Sequence, residues 1–172
     1  MPESTFFSAQ QLASGLQRIV DDSLKPSSEI APSRGEPVIY MAMVRGTRGY
    51  IEKVSHQING TYANGWYDAC AVMLRRLLET LIIECYEAHG IEKRIKDSDG
   101  NYFFLRDLVD VAIKETSWTL GRNVRSALPK LKDIGDKSAH SRRYNAHRED
   151  IDKLSREVRD VIQELLVLAK LK

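Results

Sequence analysis

The most basic part of the chain surrounds a histidine, His140, whose side chain is suited to proton transfer. Residues 122–148 contain eight Lys and Arg against two Asp, a net charge of +6 in a protein whose total is +2. An imidazole changes its protonation near neutral pH, so His140 is a candidate general base. The surrounding positive charge would attract the phosphates of a nucleic acid or of a nucleotide. Together these residue types predict phosphate binding, with His140 as the group able to move a proton.

Each of these residues also has a purely structural interpretation. His140 could fix the junction between a helix and a loop, or it could pair with a carboxylate such as Glu79. Charged residues are usually solvated, so a basic run is more often a surface than a binding site. Arg142 and His147 have an Arg-x4-His spacing, which can indicate a catalytic pair. A segment this rich in Arg also produces such a match by chance. The sequence therefore leaves catalysis, binding and a structural role open for this segment.

The residues that precede His140 have the pattern of an amphipathic helix. Apolar residues recur there at helical spacing, namely Val124, Leu128, Leu131 and Ile134. We predict that this helix ends at a tight step formed by Gly135 and Asp136. Such a step would hold His140 in place while leaving it open to solvent. Pro129 either kinks the helix or occupies its first turn.

The strongest helical pattern lies in residues 66–89, and Gly90 suits the position just past the helix end. Two adjoining apolar stripes run along this segment: Trp66, Cys70, Met73, Leu77 and Leu81, and then Ala71, Leu74, Leu78, Ile82 and Cys85. An apolar arc this wide indicates a central helix that packs on more than one side. We therefore expect the first stripe, including Trp66, to be largely buried.

A narrow polar stripe remains on the same helix. At 100° per residue, Asp68, Arg75 and Glu79 fall within roughly 40° of one another. Arg75 and Glu79 are spaced i, i+4, which on a solvated helix is an ordinary ion pair. On a helix this apolar we favour a semi-buried stripe that bonds to the segment containing His140.

Helical periodicity accounts for most of the remaining chain, and no alternating strand pattern of useful length occurs. The other predicted segments are a first helix from Ser8 to about residue 24, a linker rich in Pro and Ser at residues 26–37, a second helix at residues 38–59 ending at Gly60, a turn at residues 97–101, a short helix from Leu105 to Ile113, and a last helix capped by Asn145 with apolar residues from Ile151 to Leu168. Four further aromatic residues are expected in the core or at a dimer contact, namely Tyr102, Phe103, Phe104 and Trp118. Only exposure would make one of them a platform for base stacking. The prediction is an all-α bundle of about five or six helices, with residues 1–37 as helix plus linker and residues 38–172 as the helical domain.

Composition argues against several other classes of protein. The sequence contains no run of 18 apolar residues, so a membrane span is not expected. Residues 1–10 lack the features of a secretory signal. Cys70 and Cys85 would lie about 22 Å apart on one helix, too far for a disulfide, so we expect reduced thiols and a cytoplasmic protein. Two Cys and four scattered His do not suit a structural zinc site, and no metal or cofactor is predicted.

Two motifs resemble an uncharacterised bacterial group within the HEPN superfamily, the higher eukaryotes and prokaryotes nucleotide-binding domains. Residues 67–82 resemble its long central helix, with an Ala-rich start and an Arg-x-x-Leu-Glu step that runs from Arg75 to Glu79 here. Residues 134–140 resemble its Ile-Gly-Asn-x-Ala-Ala-His motif. The motifs have the group's order and approximate separation, and the resemblance covers about residues 45–170. It implies an all-helical fold and a homodimer whose two His loops meet across a two-fold axis.

Catalytic members of that superfamily share an Arg-polar-x-x-x-His motif, in which the Arg steadies phosphate and the His assists attack by the ribose 2′-hydroxyl. The resemblance places His140 in the His position and Asp136 in the polar position. Gly135 stands in the Arg position, where it cannot supply the bidentate guanidinium that binds a phosphate. The missing Arg therefore weakens the case for catalysis by His140, unless Arg142 or Arg143 folds back to replace it.

The resulting hypothesis is a HEPN-like dimer that binds nucleic acid, a nucleotide or a partner protein, in a bacterial stress or defence setting that the resemblance alone implies. The predicted binding residues are Asp136, Lys137, Arg142, Arg143 and Arg75, and the predicted structural supports are Glu79, Asp68 and Gly135. One alternative is a metal-independent endoribonuclease that uses His140 as general base, with Arg142, Arg143 or Arg75 in place of the missing Arg. Another is a purely structural dimerisation module whose last helix forms the contact.

Overall fold

Helices form most of the regular structure in the part of the chain that the computed structural model describes, which is Gly15 and residues 35–172. Seven α-helices lie within these residues: α1 (Met41–Val44), α2 (Gly49–Ala63), α3 (Tyr67–Ala88), α4 (Leu105–Lys114), α5 (Arg122–His140), α6 (Arg148–Asp152) and α7 (Ser155–Leu168), with a 3₁₀ helix (Glu92–Ile95) after α3. The same residues contain no strand, only one isolated bridge between Lys96 and Tyr102. The prediction of an all-α bundle is confirmed. The predicted first helix, Gly15 apart, and the linker up to residue 34 lie outside the described residues.

The centre of the bundle is α3, which packs against α2, α4, α5 and α7. Its buried residues cover most of its circumference: Cys70, Ala71, Leu74, Leu77, Leu78, Leu81, Ile82, Glu84, Cys85 and Tyr86. The helix ends at Gly90, as predicted, where a φ of 67° lets the N–H of Ile91 donate back to the carbonyl oxygen of Tyr86 at 3.0 Å. The bounds of the predicted central helix are therefore confirmed to within one residue at each end.

Both cysteines are free and buried on this helix. Burial raises the pKa of the Cys70 thiol and of the Cys85 thiol to about 12. Because only the thiolate is an effective nucleophile, neither side chain is reactive at neutral pH. They are core thiols, as the sequence predicted.

Two glycines in the left-handed region set helix ends that the sequence analysis placed elsewhere. The helix predicted at residues 38–59 is divided into α1 and α2, because Gly46 (φ 79°) turns the chain between them. Helix α2 continues through Gly60 and ends before Gly65 (φ 75°), where the N–H of Trp66 donates back to the last turn at 2.9 Å. The prediction that Gly60 ends the helix is wrong, because this type of cap requires the positive φ found at Gly65.

Trp66, which we expected to be buried, lies on the surface, and so does Phe104, which we expected in the core or at a dimer contact. Trp66 is 57% exposed, because α3 begins at Tyr67 and Trp66 comes just before its first turn. Phe104 is 80% exposed in the equivalent place before α4. Trp118, by contrast, is buried and packs edge-on against Tyr86 with ring centroids 4.8 Å apart. The apolar pattern of a helix was thus extended one residue too far at Trp66.

Helix α5 is continuous to His140, so the predicted tight step at Gly135 and Asp136 is wrong: both residues lie inside the helix. Pro129 also lies inside it rather than in its first turn. The buried face carries the predicted apolar residues, namely Val124, Leu128, Leu131 and Ile134. A glycine inside a helix costs about 1 kcal/mol relative to alanine, so its presence calls for a packing reason.

That reason is the close approach of α5 to α3. A Cβ built on Gly135 would lie 2.6 Å from Cβ of Arg75 and 3.0 Å from the carbonyl oxygen of Ala71. The first distance is far shorter than a carbon–carbon contact of about 3.5–4.0 Å. The two helices therefore cross so closely that residue 135 has no room for a side chain.

The predicted last helix is divided into α6 and α7 by a turn at residues 153–154. Helix α6 begins after His147 rather than after Asn145, so the predicted cap is wrong by two residues. The N–H of His147 donates to Oδ2 of Asp150 at 3.0 Å and is thereby satisfied at the helix start. The buried stripe of α7 consists of Val158, Val161, Ile162, Leu165 and Leu166.

The segment that leads into α1 is held by side chains from two other helices. Arg159 of α7 donates from Nη2 to the carbonyl oxygen of Pro37 at 2.7 Å, and its guanidinium lies 4.1 Å from the ring centroid of Tyr40. Asn59 of α2 accepts a hydrogen bond from the N–H of Ile39 at 3.0 Å and donates to the carbonyl oxygen of the same residue at 2.7 Å. This segment is therefore part of the packed unit.

Candidate functional site

His140 is the last residue of α5, and its side chain is exposed. Among residues 35–172, no side-chain hydrogen bond or ion pair involves it. Glu79, which we considered as its partner, lies 3.6 Å from Nη1 of Arg75 instead. His140 is thus accessible to a ligand from solvent, but no described residue fixes the orientation of its ring.

Arg75 of α3 and Asp136 of α5 are the centre of what we call the α3–α5 ion cluster, which also contains Glu79, Lys132 and Asp133. Nε of Arg75 donates to Oδ1 of Asp136 at 2.7 Å, and Nζ of Lys132 donates to Oδ2 at 3.0 Å. Nζ of Lys132 also lies 2.8 Å from Oδ1 of Asp133. Three carboxylates therefore surround two cations, and this cluster offers no excess positive charge to an anionic ligand.

The protonation of Asp136 follows from these contacts. Burial alone would raise the pKa of its carboxyl, but hydrogen bonds from Arg75 and Lys132 outweigh burial and lower the pKa below its ordinary value. The contacts of both carboxylate oxygens are with these two donors, and Asp136 makes no described contact with His140 one turn further along the helix. The geometry favours a structural role for Arg75 and Asp136. The polar stripe in the sequence favours such a role for Arg75, and both residues are also among the predicted binding residues.

The position that the resemblance assigns to Arg is closed to any side chain. Gly135 faces the backbone of α3 too closely for a Cβ, as described above. None of the three arginines considered as substitutes is held beside His140 by a described contact. Arg75 is engaged with Asp136, while Arg142 and Arg143 are exposed and make no hydrogen bond or ion pair with another described residue. No described contact therefore fixes a guanidinium beside His140 to hold a phosphate.

The loop after His140, residues 141–147, is attached to the start of α3 by a single carboxylate. Oδ1 of Asp68 accepts a hydrogen bond from the N–H of Ala146 at 2.9 Å. The hydroxyl of Tyr144 donates to Oδ2 of Asp150 at 3.2 Å. Burial raises the pKa of Tyr144, and the Asp150 and Asp68 carboxylates raise it further. The basic loop is thus fixed at one end of the bundle, beside the N-terminus of α3.

A groove of about 350 Å³ lies between α5 and α6 on the same side of the molecule. Its lining residues are Lys130, Asp133, Ile134, Lys137, Tyr144, Asp150, Lys153 and Leu154. The three lysines are exposed and have no carboxylate within 4 Å among the described residues. The two carboxylates already have donors, since Asp133 accepts from Lys132 and Asp150 accepts from Tyr144 and from the N–H of His147. We call this feature the basic groove, and its chemistry suits an anion such as a phosphate.

A family model described as a domain of unknown function, DUF4145, matches residues 56–172, about two thirds of the chain. The chain belongs to the DUF4145 family. Within the DUF4145 domain lie α3, the α3–α5 ion cluster, the basic groove and the loop after His140. Comparisons with curated proteins and with solved structures gave no match. The family description names no activity, so the function of the DUF4145 domain rests on the geometry above.

Several residues of the DUF4145 site were not singled out from sequence. Lys130 had a usable signal, because it is seven residues before Lys137 and two residues spaced i, i+7 share one helix face. Lys153 and Tyr144 join them only because the tertiary fold brings residues around α6 to the groove beside α5, for which the sequence carries no local sign. Trp66 was assigned to the core, although the Gly just before it indicates a break in the helix.

Two further properties of the DUF4145 domain concern metals and membranes. In the described part of the chain, no three His, Cys, Asp or Glu side chains are grouped so as to hold a metal ion. The helices described here are all too short or too polar to cross a bilayer.

Proposed function

We propose that this DUF4145 domain is a binding module for the phosphate backbone of nucleic acid, with RNA as the first candidate. The observation that carries the proposal is a division among its basic residues. Arg75 and Lys132 are neutralised within the α3–α5 ion cluster. The basic groove and the loop after His140 instead carry five exposed cations. These have no carboxylate within 4 Å among the described residues: Lys130, Lys137, Arg142, Arg143 and Lys153.

Exposed cations without a carboxylate in direct contact are what a polyanion needs. Each phosphate contact releases condensed counterions, and this release supplies much of the affinity for nucleic acid. The cations lie on α5, in the turn just after α6 and on the loop that Asp68 holds in place, so they form an extended set rather than a single anion site. An extended set favours a polymer of phosphates over a free nucleotide.

The resemblance to the HEPN superfamily supports RNA as the ligand. It is also the only basis for proposing a bacterial stress or defence setting and a homodimer. A cytoplasmic location belongs to the same proposal, and the two unpaired thiols of α3 agree with it.

Catalysis is a weaker candidate than binding. His140 is accessible and could accept a proton, but residue 135 has no room for the arginine that would hold the phosphate in line. Binding through the lysines and arginines needs no such group. We therefore place His140 at the edge of a binding surface and treat cleavage of RNA as an outcome to be tested.

Fluorescence anisotropy with a labelled RNA oligonucleotide tests the proposal at several salt concentrations. We expect affinity to fall steeply with salt, and we expect Arg142→Gln combined with Arg143→Gln to weaken binding and to reduce the salt slope by about one unit per lost phosphate contact. The matched control is Lys53→Gln combined with Lys114→Gln, two exposed lysines on α2 and at the end of α4. Equal losses in both double variants, or binding indifferent to salt, would contradict the proposal.

A further inference from the structure

We propose that the nucleic acid is bound as a single strand, with an unpaired base stacked on Trp66 beside the basic loop. This inference rests on the proposed function and adds the strandedness of the ligand and the residue that selects it. It combines three observations, which concern the exposure of Trp66, the place of Trp66 in the fold, and the difference between the two tryptophans of the chain.

Trp66 is an unusual residue to leave in solvent. It is 57% exposed, and among the large apolar residues described only Phe104 is more exposed. The aromatic contacts among the described residues join Tyr62 with Tyr67, Tyr86 with Trp118, and His89 with Trp118, so none of them uses Trp66. An indole that is more than half exposed and has no aromatic neighbour leaves ring surface open to a ligand.

Trp66 lies at the same end of the bundle as the basic loop. It is two residues before Asp68, whose carboxylate accepts the N–H of Ala146 at 2.9 Å. Two residues of chain span at most about 7 Å, and the three residues from Ala146 back to Arg143 span at most about 11 Å. A short oligonucleotide can therefore contact Trp66 and the arginines of the loop at once.

The pairing of an aromatic face with unpaired cations distinguishes single strands from duplexes. A duplex offers its phosphates to the basic groove, but its base faces are stacked on each other and only the base edges are open in its grooves. In a single strand the base faces are free, and stacking on an aromatic side chain commonly changes affinity by about 5- to 150-fold on alanine substitution. Trp66 would therefore favour a single strand without reading its sequence.

The chain contains two tryptophans, and the fold places them in opposite environments. Trp118 is buried against Tyr86 and His89, whereas Trp66 is in solvent. Quenching of tryptophan emission by an added oligonucleotide should therefore come from Trp66.

The experiment compares a 12-nucleotide oligo(U) with a duplex of the same length, using wild type and Trp66→Ala. Phe104→Ala is the matched control, because it removes an even more exposed aromatic residue that also precedes a helix. We expect wild type to bind oligo(U) more tightly than the duplex, with quenching of its emission. Trp66→Ala should weaken oligo(U) binding at least 5-fold and leave the salt slope unchanged, since no phosphate contact is lost. Phe104→Ala should stay within 2-fold of wild type.

The possible failures are distinct. Salt-dependent binding that is equal for both ligands and unchanged in Trp66→Ala would overturn the stacking and leave the proposed function standing. Absence of binding to either ligand would overturn both. If Trp66→Ala loses binding and also turns a dimer into a monomer in sedimentation, Trp66 belongs to a protein interface and the stacking is overturned. Equal thermal unfolding of the two alanine variants and wild type controls for loss of the fold.

Discussion

Gly135 and Arg75 face each other where α5 crosses α3, and a Cβ at residue 135 would lie 2.6 Å from Cβ of Arg75. The neighbouring residue on α5, Asp136, accepts a hydrogen bond from Nε of the same arginine at 2.7 Å. One arginine thus contributes its stem to a tight helix crossing and its guanidinium to an ion pair one residue further along.

Gly135→Ala should destabilise the protein, because the new methyl group meets the base of a side chain and a backbone oxygen rather than a flexible tip. Overpacking of this kind costs about 1–3 kcal/mol. The measurement is the free energy of unfolding in urea. Gly60→Ala is the control, since Gly60 lies in α2 with nothing within 4 Å of its Cβ position, and there alanine should be neutral or stabilising. Equal effects at the two sites would disprove the tight crossing.

Asp136→Asn should lower the free energy of unfolding at neutral pH by about 1 kcal/mol. The effect is this small because the cluster is partly exposed to solvent, which screens its charges. The pKa of Asp136 is lowered in the folded state, so its charge stabilises the fold above the ordinary pKa of 3.8 and ceases to do so as the pH falls through the lowered value. The difference between wild type and Asp136→Asn should therefore shrink in acid below about pH 4. Asp133→Asn, which removes an exposed partner of Lys132 alone, should have a smaller effect. A difference that is independent of pH would refute this account.

Wild type should show little ribonuclease activity. Removal of one electrostatic stabiliser commonly lowers rates about 10²–10³-fold, and residue 135 cannot supply one here. The assay is single-stranded RNA with excess EDTA, comparing wild type with His140→Ala, and we expect no difference between them. Robust cleavage that disappears in His140→Ala would promote the endoribonuclease alternative. Gly135→Arg is not a usable test for gained activity, because the fold has no room for the side chain.

The protein should be a homodimer in solution, as the resemblance implies. Isologous two-fold interfaces are the commonest closed assemblies. Sedimentation equilibrium at micromolar concentration should give about twice the chain mass of 19.6 kDa. A single species at the monomer mass would count against the dimer and against the alternative of a dimerisation module.

The elements that sequence predicted well are those whose reasons are local. The two apolar stripes and Gly90 identified α3 almost to the residue, because burial on several sides and a left-handed cap both leave a periodic trace. The elements it missed have distant reasons. Gly135 resembled a helix end when considered alone, and only the proximity of Arg75 and Ala71 on α3 explains a glycine within α5.

The site divides in the same way. His140 and the basic segment were visible in the sequence as charge and residue type. The division of the cations into neutralised and unpaired sets was not, since it depends on Asp136 of α5 meeting Arg75 of α3. Trp66 was misplaced because a helical stripe does not mark where its helix begins.

The hydrogen bonds of Arg159 and Asn59 to the segment before α1 determine where a stable fragment of this chain can begin. The family match begins at residue 56, yet Pro37, Ile39 and Tyr40 are already fixed by α2 and α7. A fragment cut at residue 56 would lose these contacts and would also divide α2. The shortest stable fragment should therefore begin before Pro37, and a protease added to the folded protein should spare the chain from that point onward.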